Sequence, residues 1–213
     1  MTTLINASTT AGLVQTADTT GNLSLQSGGT TILALTSAGA AVTGTLSSTG
    51  GVSQNVIQRV QGVLTGTYSQ ASATFTAITS LTATLAALKT TSSLVRITVS
   101  LGKISMNPAL AATFAFRLMR GSTAIGVGDA AGSRLQATFG CTATSANANY
   151  ADGGYSFTYL DSPSSTSALT YTLQMATEAG AQAYLNRTYS DLDNSDVYGA
   201  RTISSILVEE IAG

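Results

Sequence analysis

The sequence predicts an all-β protein, an N-terminal β-strand arm followed by an antiparallel β-sandwich. Three observations carry that expectation. Short segments alternate apolar and polar residues along most of the chain, and Gly, Ser, Asn and Asp bound them. Charge is nearly missing from the first 58 residues, where Asp18 is the one charged side chain and Arg59 is the first basic residue to follow.

Within the arm, taken as residues 1–50, three alternating stretches are legible: Gly21-Asn22-Leu23-Ser24-Leu25, Thr31-Ile32-Leu33-Ala34-Leu35 and Ala41-Val42-Thr43-Gly44-Thr45-Leu46. Ser27-Gly28-Gly29 and Ser37-Ala38-Gly39 separate them as turns. Leu23 and Leu25 recur ten residues later as Leu33 and Leu35, a faint repeat of one strand plus one turn. Three such strands bury too little to offset roughly 1–2 kcal/mol per residue of backbone ordering. The arm is therefore expected to gain structure by trimerising or by docking on a partner.

After Ser47-Ser48-Thr49-Gly50-Gly51, strands are expected at 56–70, 74–85, 94–106, 113–120, 133–139, 155–161, 168–177, 181–187 and 201–211. Together they make residues 51–213 the sandwich. The pattern is clearest in Leu94-Val95-Arg96-Ile97-Thr98-Val99-Ser100-Leu101, where Val95, Ile97, Val99 and Leu101 share the core face. Phe114, Phe116 and Leu118 repeat it, as do Tyr171, Leu173 and Met175. Residues 79–88 are rich in Ala and Leu and admit a helix, but β-branched Thr favours strand there.

Composition narrows the function. Charged residues are 9% of the chain, against about 25% in an ordinary soluble domain. With 44% apolar residues and a net charge of −1, the chain is expected to fold. Nine basic and ten acidic residues form no footprint for phosphate or anionic lipid, so neither nucleic acid nor membrane is expected as a partner. The apolar residues never run to 18, and no basic flank precedes an apolar stretch at the N-terminus, so neither a membrane span nor a secretion signal is expected. Cys141, the single cysteine, is read as a small buried apolar group.

The chain has no histidine, which removes Ser-His and Cys-His nucleophile systems, and with one cysteine it removes a structural zinc site. Only Lys89 and Lys103 are available as a lysine base. A glycosidase needs two carboxylates about a scissile bond. Of Asp18, Asp129, Asp152, Asp161, Asp191, Asp193, Asp196, Glu178, Glu209 and Glu210, most are expected at turns. The segment Asp191-Leu192-Asp193-Asn194-Ser195-Asp196 spaces oxygen ligands like a calcium loop, but Asp196 stands where the sixth-position Gly belongs and Thr202 where the twelfth-position Glu belongs. A solvated turn is the preferred reading over a bound cation. Gly126-Val127-Gly128-Asp129-Ala130-Ala131-Gly132 superficially matches a dinucleotide fingerprint, yet without a βαβ context it reads as a hairpin loop. Tyr150, Tyr155, Tyr159, Tyr171, Tyr184 and Tyr189, with Tyr198, offer an aromatic face for sugar rings or, as the preferred reading, sheet and interface packing. No catalytic, cofactor-binding or metal-binding residue is assigned, and no cofactor is expected.

The leader Thr2-Thr3-Leu4-Ile5-Asn6, Thr10-Ala11-Gly12-Leu13-Val14-Gln15-Thr16-Ala17-Asp18 and Gly21-Asn22-Leu23-Ser24-Leu25-Gln26 resembles the N-terminal module of tailed-bacteriophage virion proteins. Phe116-Arg117-Leu118-Met119-Arg120-Gly121-Ser122-Thr123, Ser156-Phe157-Thr158-Tyr159-Leu160-Asp161-Ser162-Pro163, Leu185-Asn186-Arg187-Thr188 and Thr202-Ile203-Ser204-Ser205-Ile206-Leu207-Val208-Glu209-Glu210-Ile211 resemble distal domains of fibre-like and decoration-like proteins. The resemblance spans nearly the whole chain, through structural punctuation rather than catalytic motifs. It implies an all-β, non-enzymatic homotrimer on the virion surface, with a jelly-roll-like antiparallel β-sandwich as its distal domain, held to the major capsid protein or another virion protein through the arm. Head decoration, or cement, is the first expectation. The alternative is a short tail fibre or receptor-binding tip that attaches to host surface glycans. An arm of a few strands at about 3.3 Å per residue gives little reach and no repeated shaft, which favours decoration.

Overall fold

Most of the period-two alternation becomes antiparallel strand in the computed structural model, which describes residues 23–27, 29–36, 39–42, 56–107, 113–142 and 153–213. The chain divides into two units, Met1–Ser53 and Gln54–Gly213. The described residues contain no α-helix, so the helical alternative at 79–88 is not realised.

The first unit holds β1 (Leu23–Ser27), β2 (Thr30–Thr36) and β3 (Gly39–Val42), paired in that order. The leucine repeat is an antiparallel neighbour relation: Leu25 lies opposite Leu33, and Leu23 opposite Leu35. Val42 and Ala40 continue the same two register rows on β3. Gly29, at φ 78°, occupies the turn between β1 and β2, where a left-handed residue is required. Leu25 and Leu35 each remain 38% exposed.

The second unit contains β4 (Val56–Leu64), β5 (Tyr68–Gln70), β6 (Thr76–Leu85), β7 (Leu94–Leu101), β8 (Ile104–Met106), β9 (Thr113–Arg120), β10 (Thr123–Ile125), β11 (Phe139–Thr142), β12 (Tyr155–Asp161), β13 (Leu169–Thr177), β14 (Ala183–Leu185) and β15 (Ser204–Ile211). One sheet runs β12-β7-β15-β4. A second runs β10-β9-β13-β6, with β11 also paired to β9. A small third sheet, β5-β14-β8, closes one end.

The two large sheets share one core. Val95, Ile97 and Val99 of the first are fully buried with Leu101 nearly so, as their alternation requires, and Phe116, Leu118, Tyr171, Leu173 and Met175 enter from the second. Phe139 stands between the sheets, its ring 4.7 Å from both Phe116 and Phe157. On the opposite side β4 is pressed against β6. A Cβ on Gly62 would collide with the backbone oxygen of Thr82, so only glycine permits this approach. The solvent-side faces carry hydroxyl pairs: Thr82 with Thr172 (2.9 Å), Thr84 with Thr170 (2.8 Å) and Thr98 with Thr158 (3.2 Å).

Several expected elements are corrected. The stretch 56–70 is two strands, because the chain leaves one sheet at Thr65-Gly66-Thr67 and enters another. The stretch 94–106 breaks likewise at Gly102-Lys103, where a Cβ on Gly102 would strike Thr202 and Ile203. Residues 133–138 are not strand; β11 starts only at Phe139, and β10 was not anticipated. The strand at 181–187 shortens to Ala183–Leu185, since Asn186 takes φ 65° and stops it. The last strand begins at Ser204 rather than at 201.

Candidate functional site

Pairing registers fix which connections share an end of the second unit. Leu64 pairs with Ser204, Ser205 with Ser100, and Leu101 with Tyr155, while Thr177 and Phe114 pair in the facing sheet and the Thr177 amide donates to Ser72 O (2.9 Å). The connection 186–203, the small third sheet and the strand ends bordering 107–112 and 143–154 therefore gather at one end. At the other end the connections are 86–93, 121–122 and 162–168.

Asn186 organises the first of these ends. It is fully buried in a left-handed conformation that Asn tolerates better than other non-glycine residues. Its Nδ2 donates to Leu64 O (2.9 Å) and Gly66 O (2.8 Å), and its Oδ1 accepts from Ser204 Oγ (2.7 Å). Its backbone donates to Lys103 O (2.7 Å) and accepts from the Thr202 amide (3.1 Å). Both strand breaks and the start of β15 thus meet on one residue, the side chain holding the Gly66 break and Ser204 and the backbone holding Lys103.

The connection 186–203 is held in place by local bonds. Lys103 Nζ donates to Tyr198 O (2.6 Å) and Ala200 O (2.7 Å), and partial burial lowers its pKa from the ordinary value. Asp191, at φ 48°, receives Arg201 at 2.7 Å and Arg187 at 3.3 Å, and the Arg187 guanidinium lies 3.8 Å from the centre of the Tyr184 ring. Asp196 accepts from Asn194 Nδ2 (3.0 Å). Asp191, Asp193 and Asp196 therefore do not converge, and among the described residues no three His, Cys, Asp or Glu side chains cluster as a metal site. Val197, at the tip, is 88% exposed.

The glycine-rich segment is a loop but not a hairpin loop. β10 and β11 pair successive parts of the same edge of β9, so 126–138 is an excursion from one interrupted edge line. Thr138 closes its base: Oγ1 accepts from the Leu118 amide (2.8 Å) and donates to Ile125 O (3.3 Å). Leu135, on this excursion, overhangs a groove of roughly 470 Å³ whose lining includes Ala115, Gly140, Ala176 and Glu178.

The tyrosines do not assemble into an open face among the described residues. Tyr171 is fully buried, Tyr184 nearly so, and Tyr155 and Tyr159 pack against the core. Tyr189 meets Tyr184 edge-on at 5.8 Å. Tyr150, Asp18 and Asp152 lie outside the described residues, as does the side chain of Cys141.

Three acidic residues are buried in strands, all within the stretches 155–161 and 201–211 expected to be strand. Asp161 accepts both Arg120 Nη1 contacts (2.9 Å) and the Tyr171 hydroxyl (2.8 Å), joining the two large sheets. Burial, the hydrogen bond to Asp161 and that carboxylate's charge push the Tyr171 phenol far up, against the opposing pull of Arg120, so it stays a donor. Glu209 pairs with Arg96 at 2.8 Å across the outer face. Glu210, its neighbour, points inward and is fully buried. Strand periodicity carried that signal: with Ile206 and Val208 inward, Glu210 must follow them.

No protein-family model matches the chain, and no curated protein matches it. Among the described residues no helix is long and apolar enough to cross a membrane.

Proposed function

We propose that this chain is a non-enzymatic structural protein of a bacteriophage virion, a homotrimer on the particle surface whose arm binds the major capsid or another virion protein and whose distal domain decorates and stabilises the shell. The observation that carries the reading is the first unit: three short strands, two of them with leucines in aligned rows, in a stretch without basic residues, with Leu25 and Leu35 still partly exposed. An isolated sheet of that size is marginal in water, and equivalent faces from other copies supply the missing apolar partner.

The distal domain is read as a jelly roll. Taking β4, β6, β7, β9, the β10/β11 edge line, β12, β13 and β15 as strands one to eight, the sheet orders are 1-8-3-6 and 2-7-4-5. Apart from four and five, successive strands alternate between the sheets, which supports a double-sheet roll of eight strands. Hydroxyl rungs on its solvent faces suit a role under variable salt, since they are screened far less than exposed ion pairs.

The alternative, a short tail fibre or receptor-binding tip on host glycans, draws support from the gathering of long connections at one end, with Val197 displayed on a braced loop. Gold-labelled antibody on intact particles separates the readings. Label on heads is expected, label on tails selects the alternative, and unlabelled particles refute both.

A further inference from the structure

Glu210 brings three parts of the second unit together at the end where β4 begins. Its Oε2 accepts from Gln58 Nε2 (2.7 Å), near the start of β4, and its Oε1 accepts from the Lys89 amide (2.7 Å) and from Ser93 Oγ (2.7 Å). Gln58 also holds the turn 86–93, accepting from the Ala86 amide (3.1 Å) and donating to Ala86 O (3.3 Å). Ser93 Oγ accepts in turn from the Thr90 amide (3.3 Å). Leu88, in the middle of this turn, is buried against the core.

Every group that bonds Glu210 is a donor. A neutral carboxyl would bring a proton into that site, and the Lys89 amide cannot reverse its role. Gln58 can reverse only by giving up its bonds to Ala86, and Ser93 only by turning its hydroxyl hydrogen toward Thr90 Oγ1 (3.2 Å). The bonds then left to a neutral carboxyl are roughly half as strong as those to a carboxylate. The charged groups around the site do not substitute for the carboxylate. Among the described residues Lys89 contributes its charge but no ion pair, and Arg96 is turned to the outer face with Glu209. Asp161 lies in the same register row beyond Val95, held by Arg120 and Tyr171 from the facing sheet.

We propose that Glu210 is an acid-operated latch: its carboxylate fastens the turn 86–93 and the first residues of β4, and protonation frees both and uncovers Leu88 while the two-sheet core stays folded. The latch joins β15, which carries Glu210, to the start of β4, the first described strand of the second unit. Burial alone would raise the Glu210 pKa, but the bonds from Gln58, Lys89 and Ser93 and the Lys89 charge outweigh it and hold the group below its ordinary 4.5. The latch is therefore closed at neutral pH and opens only as pH falls through that lowered value.

Amide hydrogen exchange on the full chain, corrected for intrinsic rates and followed from pH 7 to pH 3, tests this. Protection in 86–93 is expected to drop at least tenfold at acid pH, while 94–101 keeps its protection. In Glu210→Gln the turn should already be unprotected at pH 7. Unchanged protection of the turn in the wild-type chain at pH 3 overturns the proposal, and so does simultaneous loss in 86–93 and 94–101. The wild-type series decides the matter even if the variant does not fold.

Discussion

Asn186→Ala isolates the residue on which the distal end is built. The substitution removes two donated bonds, to Leu64 O and Gly66 O, and the acceptor for Ser204 Oγ, all at a fully buried position. Leaving buried polar groups unmatched costs roughly 1–3 kcal/mol each, with partial relaxation reducing the sum. Alanine at φ 65° adds about 1 kcal/mol relative to asparagine. The expected loss is about 3–5 kcal/mol, a large part of the 5–15 kcal/mol that holds a typical domain. Urea unfolding should show a lower midpoint with an unchanged slope. Asn186→Gly, which meets the backbone requirement without the bonds, should be less damaging than Ala by about 1 kcal/mol. If Asn186→Ala costs under about 1 kcal/mol, the side chain does not hold the break at Gly66 to the start of β15 and the reasoning fails.

Three further expectations follow from burial and pairing. Ile97→Ala should cost about 2–5 kcal/mol by leaving a cavity, and Thr98→Ala, whose hydroxyl meets Thr158 on the outer face, much less; thermal unfolding that reverses this order would refute the register. Tyr171→Phe should lower the urea midpoint by the equivalent of about 1–3 kcal/mol, because the Asp161 carboxylate loses a buried donor; an unchanged midpoint would show that Arg120 alone satisfies it. Limited trypsin digestion should nick the second unit first at Arg134, exposed on the excursion, rather than at Arg96, Arg117, Arg120 or Arg187, which are paired within the sheets or the braced loop; mass spectrometry finding first cleavage at one of those would contradict the pairing.

Alternation alone located the core. Residues 113–120 and 155–161 were legible to the residue, because Phe114, Phe116 and Leu118, or Tyr155, Phe157 and Tyr159, leave one consistent inward face. What alternation could not show is where a continuous apolar stretch changes sheets. At Gly66 and Gly102 the period hardly falters, and the break is set by distant groups, Asn186 and Thr202, that the local pattern does not contain. The excursion 126–138 escaped for a related reason. Its closure depends on Thr138 taking the place of a ladder acceptor for Leu118, a long-range bond with no local composition. Glu210 was different, since its inward direction followed from Val208 and only its set of donors required the fold.

Sedimentation of the full chain in molar salt tests the central claim most directly. Assembly through charge-poor strands and apolar rows predicts a single species at three times 21.5 kDa with no dissociation as salt rises. The same chain without residues 1–50 should sediment as a folded monomer. A full-length chain that sediments as a stable monomer would contradict the account.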